Sequence, residues 1–70
     1  MGTLWDLAQE YRANQLPIER RLEDLRTELA QTTSLEARRR LRHRINVLEK
    51  MLADSRRYVF EMEHYYDTEE

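Results

Sequence analysis

Seventy residues make one small domain, here with 40% apolar and 37% charged side chains, one Gly, one Pro and no Cys. The composition excludes disulfides and thiolate metal sites. Ordering so short a chain costs about 1.5 kcal/mol per residue, which demands burial by an efficient core or a partner. Apolar runs are too short for a membrane span or a signal peptide, and the opening Met1-Gly2-Thr3-Leu4-Trp5-Asp6 lacks the Ser/Thr of a myristoylation site. A soluble, cytoplasmic protein is therefore expected.

In chain order, Thr3 followed by Asp6 has the form of a capping box with a short acid, opening a helix predicted over about residues 4–30. Leu4, Ala8, Tyr11, Gln15, Ile18, Leu22, Leu25 and Leu29 follow alternating steps of four and three. Pro17 interrupts this helix chemically, because it lacks an N–H and crowds the carbonyl of Ala13. Either the helix kinks there, or it breaks near Asn14–Leu16 and restarts with Pro17 at its first position. The apolar phase passes through without a slip, which favours the kink.

Gln31-Thr32-Thr33-Ser34 is the one polar, uncharged cluster, and it marks a turn over 31–34. Thr33 with Glu36 predicts a capping box for a second helix over about 34–66, followed by a frayed acidic tail at 67–70. Leu41, Ile45, Leu48, Leu52, Ser55, Val59, Met62 and Tyr66 repeat the four-and-three spacing. Across both helices 14 of the 16 positions are apolar, against about six expected from composition. This is the seam of a coiled-coil-like pair, and so short a turn makes the helices antiparallel. The predicted fold is all-α, a two-helix hairpin forming a single domain.

Heptad lettering places a second apolar strip beside the seam. The g positions are Leu7, Asn14, Arg21 and Glu28 on the first helix, and Arg44, Met51, Tyr58 and Tyr65 on the second. In an antiparallel pair the two g rows share one flank, so Leu7, Met51, Tyr58 and Tyr65 gather towards the open end. Two helices cannot cover a seam from all sides, whereas two hairpins can. Homodimerisation through this flank into a four-helix bundle is expected, with a widened hairpin core as the alternative. All six aromatics (Trp5, Tyr11, Tyr58, Phe60, Tyr65 and Tyr66) fall at the open end, where Trp5 and Phe60 mark a surface suited to a protein partner.

Charge is unevenly spread. Residues 20–44 carry a net +4, whereas residues 1–19 and 45–70 carry −2 and −4. The turn end is thus basic and the open end acidic. Within the basic part, Arg38, Arg39, Arg40, Arg42 and Arg44 form the candidate nucleic-acid contact, suited to phosphate rather than base edges. Against it stand the overall charge of −2, the absence of interleaved aromatics, and acids placed to neutralise the arginines: Glu23, Asp24 and Glu28 on the facing helix, and Glu36 four residues before Arg40.

Catalytic patterns are lacking. Glu61 and His64 have the Glu-x-x-His spacing of di-iron bundles, yet Met62 takes the seam position. Glu61 and His64 then fall at outward c and f positions, with Leu4 and Leu7 in place of an opposing carboxylate. His43 is also outward, among arginines. No metal, cofactor or small-molecule substrate is expected, and the protein is read as a non-enzymatic interaction or structural module. The alternative is a small nucleic-acid-binding regulator.

The segments Leu7-Ala8-Gln9-Glu10-Tyr11-Arg12, Leu22-Glu23-Asp24-Leu25-Arg26, Leu41-Arg42-His43-Arg44-Ile45-Asn46-Val47-Leu48-Glu49 and Met62-Glu63-His64-Tyr65-Tyr66-Asp67 resemble a group of short helical-hairpin proteins found among prophage genes of Gram-positive bacteria. The resemblance spans nearly the whole chain. It implies a bacterial, cytoplasmic and phage-derived origin, with no assigned functional residues to carry over.

Overall fold

The computed structural model describes residues 3–65. They form two helices, α1 (Leu4–Gln31) and α2 (Leu35–Glu63), packed side by side as an antiparallel hairpin, with no strand among the described residues. No described helix is long and apolar enough to cross a membrane.

Side-chain chemistry fixes each helix end. At the start of α1 the Asp6 N–H donates to Thr3 Oγ1 at 3.1 Å and the Thr3 N–H donates to Asp6 Oδ2 at 3.3 Å, a reciprocal capping box. α1 then runs continuously through Pro17. Both Ala13 and Pro17 are exposed, so water can reach the Ala13 carbonyl that the missing N–H leaves unbonded. At the other end Thr32 closes the helix, its hydroxyl donating to the Glu28 carbonyl at 2.7 Å and its N–H to Leu29 O at 3.2 Å.

Two boundaries differ from expectation. α2 is capped by Ser34, not by a Thr33–Glu36 box: Ser34 has extended backbone, its Oγ accepts from Ala37 N at 3.5 Å, and helical geometry begins at Leu35. Glu36 therefore lies within the first turn, where a carboxylate favours the positive end of the helix dipole. α2 also ends at Glu63 rather than near 66. His64 leaves helical geometry at φ −107° and ψ 13°, while its N–H still reaches Phe60 O at 3.0 Å. Tyr66 and the expected tail at 67–70 lie outside the described residues.

Packing follows the seam. Ala8, Gln15, Leu22, Leu25, Leu41, Ile45, Leu52 and Val59 are buried among the described residues, and every one is a predicted seam position. Ile18, Leu29 and Leu48 pack half-buried against the central cluster of Leu22, Leu25, Leu41, Ile45 and Leu52. Full burial of such a side chain contributes about 1.5–3 kcal/mol, so this cluster is the main source of stability. Tyr11 is the exception to the seam prediction, 42% exposed; a phenol tolerates this because its hydroxyl keeps access to water.

The result is a rod of 55 × 21 × 13 Å. Its Cα radius of gyration is 16.3 Å, against about 11 Å for a compact chain of this length. With one layer and one seam, each helix keeps most of its circumference in solvent.

Candidate functional site

The two flanks of the seam are chemically different. On one flank the residues immediately outside the seam are Arg12, Glu19 and Arg26 on α1 and Glu63, Arg56 and Glu49 on α2. They pair across the helices in antiparallel order: Arg12 with Glu63 at 2.6 Å, Glu19 with Arg56 at 3.1 Å, and Arg26 with Glu49 at 3.6 Å. Every interhelical ion pair among the described residues lies on this flank. The ladder is matched at this relative height of the helices, which loop length alone does not specify.

Glu63 is the best-held member. Arg12 Nη2 donates to both its oxygens, at 2.6 and 2.7 Å, and Gln9 Nε2 donates to Oε2 at 2.8 Å. Only 12% of the side chain is exposed. The Arg12 hydrogen bonds foremost, then the Gln9 bond, favour the carboxylate and hold its pKa below the ordinary glutamate value. Beside this pair an open groove of about 410 Å³ runs between Leu16 and Phe60, crossed by the Arg12–Glu63 and Glu19–Arg56 pairs. The sequence carried the signal for this ladder: Arg, Glu, Arg at heptad spacing on α1 face Glu, Arg, Glu read backwards on α2.

The opposite flank carries no such ladder. Leu7, Met51, Tyr58 and Tyr65 stand between 41% and 54% exposed. The guanidinium of Arg57 lies 5.6 Å from the Tyr58 ring centre, a weak contact at the surface. Val47, one turn before Met51, extends the exposed apolar strip towards the middle of the rod. Trp5 and Phe60 are more exposed still, but helical phase puts them on the side of the ion-pair ladder, apart from Leu7, Met51 and Tyr58. The open end thus has two separate apolar edges rather than one aromatic patch. Phe60 is stacked on His64, with ring centres 4.1 Å apart.

The five arginines near the turn divide into two kinds. Arg38 is half-buried and spent on the fold: its Nη1 donates to the Leu29 carbonyl at 2.7 Å and the Thr32 carbonyl at 2.9 Å. The last turn of α1 has no basic residue of its own, so Arg38 supplies the positive charge that this helix end favours. Arg39, Arg40, Arg42 and Arg44 are exposed. None of them is within ion-pair distance of a described carboxylate, so the expected neutralisation by Glu23, Asp24, Glu28 and Glu36 is not made.

Glu61 and His64 are both exposed. The His64 ring nitrogen Nδ1 is 2.8 Å from the Phe60 carbonyl, a local bond along its own helix. No group of three metal-ligating side chains occurs among the described residues. No protein-family model, curated protein or solved structure matches the chain.

Proposed function

We propose that this protein is a non-enzymatic interaction module, a helical hairpin that self-associates through the flank bearing Leu7, Met51, Tyr58 and Tyr65. The observation that carries the proposal is the asymmetry of the two flanks. On one, ion pairs made within the chain close the edge of the seam, with Trp5, Leu16 and Phe60 exposed outside them; on the other, Leu7, Met51 and Tyr58 stand exposed directly beside the seam with no interhelical ion pair among the described residues. Area supports it. The hairpin exposes 5889 Å², whereas a compact monomer of its mass exposes about 4,700 Å². The excess is larger than the roughly 800 Å² each partner contributes to a standard interface. A cytoplasmic, phage-derived setting accords with the resemblance drawn from its sequence segments.

Sedimentation equilibrium tests this. The parent should be dimeric at micromolar concentration, and Tyr58→Arg, which puts a positive charge on the strip, should be monomeric. A Tyr58→Arg variant as dimeric and as stable as the parent overturns the assignment of the flank. Phosphate binding through Arg39, Arg40, Arg42 and Arg44 would instead show as retardation of generic RNA or DNA at about 50 mM salt, where such contacts are strong.

A further inference from the structure

On the exposed side of α2, the rows at c and g form a continuous stripe from the turn to the open end: Ala37, Arg40, Arg44, Val47, Met51, Asp54, Tyr58 and Glu61. The basic residues lie in one half, the acidic residues in the other, and Val47 and Met51 between them. This order is self-complementary when reversed about residue 49, the midpoint of α2.

We propose that a second copy of the chain packs on this stripe antiparallel, with the turn of one hairpin beside the open end of the other. The proposal rests on the self-association argued above and specifies its topology. With the twofold axis at residue 49, Val47 meets the partner's Met51, Arg44 meets the partner's Asp54, and Arg40 lies between the partner's Tyr58 and the partner's Glu61. Each c position faces a g position, the alternation that antiparallel helix seams use. Because residue 49 is the midpoint, the two α2 helices overlap along their whole length and bury the most area.

Two observations favour this over a side-by-side arrangement with both turns at one end. Among the described residues Arg40 and Arg44 are exposed and make no ion pair, and half-buried Asp54 makes only a long 3.9 Å contact with Arg57. Beside Arg40 and Arg44, a groove of about 240 Å³ is framed by Glu28, Ala37 and Leu41, and in this register it receives the partner's Tyr58. The alternative places two basic turns of net +4 together and two acidic ends together, a repulsive arrangement.

The chain has no cysteine, so Thr33→Cys in the exposed link takes a single nitroxide. Pulsed dipolar spectroscopy should give a turn-to-turn distance of about 48 Å for the antiparallel dimer, from 1.5 Å of rise per residue. A distance below about 20 Å in a sedimenting dimer overturns the topology and leaves self-association standing. A monomer with no dipolar signal overturns both. Register is tested by charge exchange. Arg44→Glu should weaken association about tenfold, because two symmetric pairs become repulsive. Arg44→Glu combined with Asp54→Arg should return it to within about threefold of the parent, and no recovery in the double variant overturns the register.

Discussion

Gln15 and Ser55 are the only two non-apolar residues among the seam positions, and they face each other. Gln15 Nε2 donates to Ser55 Oγ at 3.1 Å, and no described buried side-chain polar atom lacks a partner. The pair makes one polar layer in an apolar seam, a device that fixes helix register at some expense in stability. Ser55→Ala strands the Gln15 amide and should lower unfolding stability by about 1–2 kcal/mol. Gln15→Leu with Ser55→Ala should regain that loss or exceed it in urea denaturation, and a double-mutant cycle isolates the coupling. Glu63 carries the pH dependence. Its folded pKa is depressed by Arg12 and Gln9, so its contribution is complete above the ordinary glutamate value and lost as pH falls through the depressed one. Titration of the Glu63 carboxyl by NMR should give a midpoint below 4.5, and Glu63→Gln should remove that part of the acid sensitivity of the open end.

At the scale of the helices, each end is satisfied by a different device. Thr3 and Asp6 cap α1 locally and Ser34 caps α2 locally, but the C-terminus of α1 relies on the other helix through Arg38. Arg38→Met keeps the length of the side chain and removes both donors. It should destabilise the hairpin by roughly 1–3 kcal/mol, because two carbonyls lose a charged partner, with hydrogen exchange accelerated first in residues 29–32. Arg38 continues the seam's phase one heptad before Ile45, just outside the predicted positions, so the basic run and the seam are not separate features. Sequence periodicity identified which faces pack. It could not show that one of five neighbouring arginines would turn back onto a helix end, since that depends on how the link folds.

For the whole molecule, the decisive property is thinness. A rod one helix pair deep buries a single seam, and its stability is then coupled to whatever covers the exposed flank. If a second copy does so, the folded state is stabilised by mass action, and the thermal midpoint should rise with protein concentration. Calorimetry over a hundredfold dilution series checks this; a constant midpoint would show that the hairpin is stable alone. Tyr58→Arg should make the midpoint insensitive to concentration and lower.

Much of this architecture was legible in the residues. The four-and-three spacing fixed which side chains share the packing face, because helical geometry brings them together whatever the partner. The capping box at Thr3 was equally local. Three matters awaited the packed chain. Ser34 rather than Thr33 starts α2, since a cap is chosen by backbone angles in the link and not by residue type alone. Tyr11 remains exposed, since whether a seam position is buried depends on its cover across the helix pair. The alignment of Arg12, Glu19 and Arg26 with Glu63, Arg56 and Glu49 needed the second helix at a definite height. Periodicity along a chain specifies faces, but the height at which two faces meet is a property of the pair, set where hydrogen bonds and charges can be satisfied only in one register.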